Sequence, residues 1–374
     1  MIPKSLNVAC FSDFHSGHPK NPMERLAANL KAAFPDNQET ADLDILFIAG
    51  DFFDGLMISD SDAYFEASDL IVYLLRLCKK HDIVLRVLRG TPSHDYNQNR
   101  LFEHLNAAGK IGCDLKYWPI LGVEIIERFG ISVLYIPDEW ESHPDKTLDQ
   151  AQDAIAAKGL EQVDFAIMHG NFPHQLPPIV KSHKHDPQQY LQLVKHLIFI
   201  GHVHFHSIYA DRIIAQGSFD RLAHGEEGPK GHIRAIVHDN GYHEVQFVEN
   251  KHALIFKTIE CRGLTIGETL EEIQNNLGGI PDGSHIRISC SKSNPILQDM
   301  DQLIRLWPLI TWSKLVKDLK IEDEGFEEVL EESDYVPITI TPENIEKLVM
   351  DRLFSQDLSG PILELARKSL QEMK

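Results

Sequence analysis

Five short segments of this 374-residue chain place acids and imidazoles directly after an apolar run. Leu6–Phe11 leads into Ser12-Asp13-Phe14-His15, and Leu43–Ala49 leads into Gly50-Asp51. Ile83–Leu88 runs on to Gly90-Thr91-Pro92-Ser93-His94-Asp95. Phe165–Met168 ends in His169-Gly170, and Leu197–Ile200 ends in Gly201-His202-Val203-His204. One such ending is usually structural, since a lone histidine is more often a satisfied polar group than a ligand. Five in one chain mean more, because strand ends on one edge of an α/β sheet converge on a common crevice. Carboxylates and imidazoles gathered there suit a divalent transition ion rather than a thiolate-loving one.

Asp13, His15, Asp51, His169, His202 and His204 are too many ligands for one ion that must also leave room for a substrate. Two ions sharing Asp51 would sit ~3.5–4 Å apart and clamp a phosphoryl group between them. His94 beside them is the natural general acid for the leaving oxygen. Asp95, the next residue, is expected to orient that imidazole or to raise its pKa.

The elements that must position these residues are short. The five runs, and a sixth at Ile213–Ala215, are too brief for helices and read as buried strands. Leu26, Leu30, Ala33 and Phe34 keep helical spacing, and Ala63–Lys80 is a longer helical stretch. Asp239-Asn240-Gly241 between Ile233–Val237 and Val245–Val248 predicts a β-hairpin. Strands alternating with helices give a layered α/β fold over residues 1–250. Beyond that point Ala253–Cys261 reads as a strand. Thr265 and Glu268 form a capping box for a helix through Leu277, and Pro281-Asp282-Gly283 turns into a strand at His285–Cys290. This β-α-β unit over residues 251–320 is expected to be a small second domain. The stretch 321–334 carries eight acids and no base, and two short amphipathic helices are expected after Thr341.

Composition narrows the setting. Apolar residues make up 43% and charged residues 25%, so the chain is globular rather than disordered. No apolar run approaches the ~18 residues of a membrane span, and no secretory signal is visible. The five cysteines are scattered without a CxxC pair, which excludes a disulfide scaffold or a zinc ribbon and predicts a cytoplasmic protein. Net charge is −20, so any phosphate-handling role needs local positive charge, from bound metal or from a partner.

In order and content, Asp-x-His, Gly-Asp, a Gly…His-Asp loop, His-Gly and Gly-His-x-His resemble the calcineurin-like metallophosphoesterases. Gly217-Ser218-Phe219-Asp220-Arg221, followed by Gly225-Glu226-Glu227 and Lys230-Gly231, is similar to the corresponding segment of SbcD-type double-strand-break repair nucleases. The resemblance implies a four-layer α/β/β/α sandwich over 1–250, a DNA-capping domain over 251–320 and a helical tail over 321–374. It implies two divalent ions, manganese most readily, one on Asp13, His15, Asp51 and His204 and the other on Asp51, His169, His202 and a residue of the third block. His94 would be the acid. It further implies DNA as substrate, a homodimer, and an SMC-like coiled-coil ATPase partner docked through the C-terminal helices. The family's third block reads Gly-Asn-His-Asp. Here Ser93 precedes His94, so Ser93 is the residue expected in place of the asparagine ligand, as a shorter and weaker donor. Two rivals stay open at this stage: a phosphoesterase for small substrates, and a scaffold whose degenerate site holds fewer ions.

Overall fold

The structure, a computed structural model, describes residues 5–316 apart from 178, 181 and 183. Its strands are β1 (Ser5–Phe11), β2 (Ile45–Ala49), β3 (Val84–Leu88), β4 (Leu115–Trp118), β5 (Gly122–Ile126), β6 (Ile131–Ile136), β7 (Phe165–His169), β8 (Ile198–Gly201), β9 (Ser207–Tyr209), β10 (Ile213–Ala215), β11 (Gly231–His238), β12 (His243–Glu249), β13 (Phe256–Glu260), β14 (His285–Cys290) and β15 (Thr311–Val316). The first sheet has the order β12-β11-β1-β2-β3-β4, and the second β5-β6-β7-β8-β10-β9. The central strands β1 to β4 run parallel to one another, as do β6, β7, β8 and β10. Antiparallel pairing is confined to β11, β12, β5 and β9.

Side chains on a strand alternate between faces, and here both faces are buried. Leu6, Val8 and Cys10 of β1, with Ile45, Phe47 and Ala49 of β2, meet Ile131, Val133 and Tyr135 of β6 and Phe199 of β8 between the sheets. The alternate residues Ala9, Phe11, Leu46 and Ile48 point the other way, onto Leu26 and Leu30 of the helix Met23–Ala33 and Leu70, Ile71 and Leu74 of the helix Asp62–His81. On the far side Leu134, Ile136, Ile198 and Ile200 pack against Leu148, Ala151 and Ile155 of the helix Pro144–Ala156. The result is four layers, α/β/β/α, as expected. It also explains why these strands read as unbroken apolar runs rather than alternating ones.

The longest helix starts where Ser61 accepts a hydrogen bond from the Tyr64 N–H, and ends at Asp82 in a left-handed conformation. The hairpin at Asp239-Asn240-Gly241 joins β11 to β12 as expected. The hairpin β5–β6 and the strand β4 are additions to the sequence reading. They carry the chain from the edge of the first sheet to the edge of the second. Trp118 stacks on Tyr135 at 4.3 Å to close the end of the inter-sheet core. Arg86 is buried beneath them, paired with Asp114 and Glu124 at 2.9 Å each. It therefore belongs to the core and does not face solvent.

Past Glu249 a third sheet has the order β13-β14-β15, all parallel. The capping box of Thr265 and Glu268 opens the helix Ile266–Asn276 between the first two strands. A second helix, Asp301–Leu306, and β15 extend the unit beyond the β-α-β expected. Trp307 and Trp312, with rings 5.7 Å apart, pack on its core. The buried carboxylate of Asp220 ties this unit to the first helix. It accepts from Arg25 at 3.1 Å, Asn29 at 3.0 Å and the Leu254 N–H at 2.6 Å. All five cysteines are buried and free. Among the described residues no helix is long and apolar enough to cross a membrane. The acidic run 321–334 and the helices expected after Thr341 lie outside the described residues.

His232 of β11 is buried against Phe34, and burial next to Arg234 pushes its pKa down to about 3. The unfolded chain takes up that proton near pH 6.5, so the stabilisation from neutral His232 is complete above pH 6.5 and is lost as pH falls toward 3. The slope approaches about 1.4 kcal/mol per pH unit inside that window. Thermal melts of wild type and His232→Phe between pH 7 and 5 are expected to shift in favour of the variant as the pH drops. Parallel curves would contradict this.

Candidate metal centre

The two sheets lean their parallel strands the same way, and six carboxyl ends meet in one place: those of β1, β2, β3, β6, β7 and β8. The turn after β1 is stitched to the turn after β2. Asp13 N–H donates to the Gly50 carbonyl at 3.1 Å, and Phe14 and His15 donate to the Asp51 carbonyl at 2.9 and 3.1 Å. These turns are strained. Asp13, His15 and Asp51 have φ of 49°, 53° and 50°, and His202 has 100°. A left-handed non-glycine residue costs roughly 1–3 kcal/mol, and such residues gather where function holds them. Gly50 and Gly90 make the close approach possible. A Cβ on Gly50 would lie 2.3 Å from His169 Nδ1, and one on Gly90 would lie 2.1 Å from Asp51 Oδ1.

Asp13 and Asp51 form the buried heart of the site. Three imidazoles aim one nitrogen at them and have the other tied back. His169 Nδ1 bonds the Ala49 carbonyl at 2.7 Å, which leaves Nε2 3.1 Å from Asp51 Oδ2 and 3.9 Å from Asp13 Oδ1. That buried Nε2 lacks an aligned hydrogen-bond partner. His15 Nδ1 is held by Asp54 at 2.9 Å, and His204 Nδ1 by Glu226 at 2.7 Å. Their Nε2 atoms face each other at 3.3 Å, with His204 Nε2 3.7 Å from Asp13. A ligating imidazole shows this arrangement, one nitrogen for the ion and the other donating to a carboxylate or carbonyl. His202 donates its N–H to Asp13 at 2.9 Å and places Nδ1 3.5 Å from Asp138. His94 Nδ1 lies 2.8 Å from Asp51.

Among the described residues, donor atoms within 4.8 Å of one another form three triads: Asp13, His15 and His204; His15, Asp51 and His94; and Asp51, His169 and His202. Asp51 is common to two of them. Buried Asp/His clusters of this kind can bind divalent metals, and His169 Nε2, paired with Asp51 by charge and without an aligned hydrogen bond, fits such an ion.

The electrostatics agree. Burial alone would raise the Asp51 pKa, but His169 and His94 hold it well below the carboxylate range. Conversely burial would lower His169, and Asp51 and Asp13 drive it well above its ordinary value. His204 is likewise raised against its burial by Glu226 and Asp13, and His94 against its burial by Asp51. Every imidazole so shifted is drawn toward positive charge by neighbouring carboxylates.

Two expectations about the third block need correction. Ser93 is exposed, on the short helix Pro92–Asp95, and takes no part in the cluster. Thr91, directly after Gly90, occupies the polar position instead: its N–H donates to Asp51 Oδ1 at 2.6 Å, and its hydroxyl lies 3.1 Å from Asp51 Oδ2. Pro92 and Ser93 stand between Thr91 and His94, so counting back from His94 does not reach the hydroxyl that faces Asp51. Asp95 does not orient His94; its carboxylate accepts from Gly90 N–H at 2.6 Å and Phe53 N–H at 3.2 Å, pinning the loop. Burial and the neighbouring Asp51 raise it to about 7. The orienting partner of His94 is Asp51. His206 turns away, bonded to the Ala215 carbonyl and stacked on Phe247.

Asp54, Thr91, Asp138 and Glu226 are site residues that sequence reasoning did not single out for these roles. Asp138 had a visible signal: the apolar run Ile131–Ile136 ends in Pro137-Asp138, the same design as the other five.

No family model matches the chain, and none of the curated proteins does. Among solved structures the chain is similar to GAP50, the anchor in the inner membrane complex of Plasmodium, at 13% identity and a TM-score of 0.42 over 67% of this chain and 86% of that one. It is also similar to TT1561 of Thermus thermophilus, at 11% identity and a TM-score of 0.37 over 66% of this chain and 99% of that one. At such distances function has to be argued from the residues of the site.

Gly90→Ala tests the packing of the centre. A methyl group there forces Asp51 out of place, so uptake of a divalent metal by calorimetry is expected to fall by about tenfold or more while far-ultraviolet dichroism stays native. Uptake equal to wild type would show that Asp51 does not anchor the site.

Proposed function

We propose that this chain is a metal-dependent hydrolase of phosphodiesters, a calcineurin-like metallophosphoesterase of the SbcD nuclease type, acting on DNA. The observation that carries the reading is the set of imidazoles, His15, His169 and His204, each tied from behind and aimed at Asp13 and Asp51. Asp13, His15, Asp51 and His204 would hold one divalent ion, and Asp51, His169 and His202 the other, with manganese the preferred metal. Such a pair, when bound, would supply an activated water at neutral pH and offset the charge that builds on the phosphate.

The chain's own residues do the rest. Asp54 and Glu226 fix the tautomers of His15 and His204, so both present Nε2 without reorganisation. His94 is half-exposed and protonated more readily than a free histidine, because Asp51 accepts from its Nδ1. Its other nitrogen is left to hand a proton to the departing oxygen. Asp95 holds the backbone of Gly90 and Phe53, and with it the height of His94 above the acids.

DNA is favoured over a small ester by the segment 220–231. Glu226 holds His204, while the adjacent Glu227 accepts from the Thr258 N–H of β13 at 2.8 Å. Arg221 donates to the Leu254 carbonyl at 3.2 Å. A second unit, the proposed cap over 251–320, is thus tethered one residue from a ligand's support, which a small substrate would not require. The net charge of −20 favours the second reading, a phosphoesterase for small substrates. The tail over 321–374 is assigned to an SMC-like ATPase partner, and the core to a homodimer. Truncation before Thr341 is expected to abolish ATPase co-purification while leaving nuclease activity; co-purification that persists would contradict the docking assignment.

The test of activity uses linear double-stranded DNA with manganese, and bis-p-nitrophenyl phosphate as a small diester. Asp13→Ala is expected to abolish both activities. His94→Gln is expected to slow DNA cleavage by about 10²–10⁴-fold. It should affect the nitrophenyl ester less, because that leaving group needs no proton. Turnover of the ester with DNA untouched would favour the small-substrate reading, and DNA cleavage by Asp13→Ala at the wild-type rate would overturn both.

A further inference from the structure

We propose that Asp138, together with the hydroxyl of Thr91, completes the donor set of the second ion, the one assigned to Asp51, His169 and His202. The inference rests on the two-ion reading above and adds a carboxylate to it.

The second ion is the poorer in donors. Three protein groups are assigned to it against four for its neighbour, and the position after Gly90 carries a hydroxyl. Around that hydroxyl several donors crowd. Thr91 Oγ1 lies 3.1 Å from Asp51 Oδ2, 3.2 Å from Asp138 Oδ2 and 3.4 Å from His202 Nδ1. Asp138 Oδ2 lies 3.5 Å from His202 Nδ1, and Asp51 Oδ2 lies 3.1 Å from His169 Nε2. An octahedral ion with donors at about 2.1 Å spaces neighbouring donors by about 3 Å. Thr91 Oγ1, Asp138 Oδ2 and His202 Nδ1 are mutually spaced as ligand neighbours are, and they stand at the edge of the Asp51, His169 and His202 triad, whose own donors lie within 4.8 Å of one another.

Proton counting points the same way. A hydroxyl carries one proton, and it cannot serve the carboxylates of Asp51 and Asp138 together. Asp51 has further donors in the Thr91 N–H and His94 Nδ1, whereas Asp138 has the Thr91 hydroxyl at 3.2 Å and His202 Nδ1 at 3.5 Å and is only 12% exposed, so water does little to stabilise its charge. A cation among these atoms would offset the charge of the two carboxylates more fully than the single hydroxyl proton does. Asp138 reaches the place because it follows β6, the neighbour of β7, which delivers His169. A carboxylate there in place of a neutral amide adds a negative charge, which strengthens binding of the second ion and favours hard, oxygen-preferring metals such as manganese or magnesium.

The experiment is equilibrium dialysis of the full chain against Mn²⁺, with metal counted by mass spectrometry, for wild type, Asp138→Ala, and Asp138→Ala combined with Thr91→Asn. Wild type is expected to take two ions. Asp138→Ala should keep the first at unchanged affinity and bind the second about 10–100-fold more weakly. The added asparagine should recover much of that loss, since an amide oxygen at position 91 supplies a direct donor; a residue that merely oriented His202 would not be replaced in this way. Asp138→Asn, equal in shape, serves if the alanine variant does not fold, and a severalfold weakening of the second ion is expected. Two ions bound at wild-type affinity by either single variant would overturn the proposal, as would a loss that Thr91→Asn leaves uncorrected. Wild type taking up a single ion would instead overturn the two-ion reading, and this inference with it.

Discussion

Two aspartates buried side by side in the middle of a protein are unstable company unless something positive joins them. Asp13 and Asp51 occupy that position here, where the two sheets open at their carboxyl ends. Much of the surrounding structure answers to them. Histidines approach from β1, β3, β7 and β8, and the pKa values of His94, His169 and His204 rise where carboxylates reach them. Backbone N–H groups of Thr91 and His202 turn inward to the two buried aspartates. The left-handed turns at Asp13, His15, Asp51 and His202 are the conformational cost of bringing so many groups to one point. The packed four-layer sandwich beneath supplies the rigidity that keeps them there.

The layered architecture makes such a site possible at little risk to stability. The inter-sheet core and the two helix-facing cores are continuous and apolar, and at roughly 1.5–3 kcal/mol for each fully buried large side chain they tolerate strain at the rim. The polar machinery is confined to strand ends and the loops after them. The segment 220–231 is the exception, since it leaves β10, supports His204 through Glu226 and runs on to the third sheet through Glu227. The third sheet is therefore joined to His204 through two adjacent glutamates.

Much of this was legible in the amino-acid order. Strands buried on both faces are unbroken apolar runs, so β1, β2, β3, β7, β8 and β10 stood out, and the acids and imidazoles Asp13, His15, Asp51, His94, His169, His202 and His204 that follow five of these runs meet in one cluster. The capping box at Thr265 and the hairpin at Asp239-Asn240-Gly241 are local signals and survive into the structure. Less visible were β4, β5 and β15, which are edge strands with partly exposed side chains and so lack a clean apolar run. The third block misled for a different reason. Counting from His94 selects Ser93, but register in space is counted from the end of β3, and from there Thr91 is the residue beside Asp51. Asp54 and Glu226 were hidden because a carboxylate that supports a ligand carries no spacing signature of its own. Arg86 shows the converse, a charged residue in a strand that is wholly engaged by Asp114 and Glu124.

In the proposed two-ion centre Asp51 stands between ions held by opposite sides of one site. Crystals grown with Mn²⁺ and measured at the manganese absorption edge test it directly. Two anomalous peaks ~3.5–4 Å apart, with the Asp51 carboxylate between them, are the predicted result. A single peak, or peaks away from Asp51, would contradict the account.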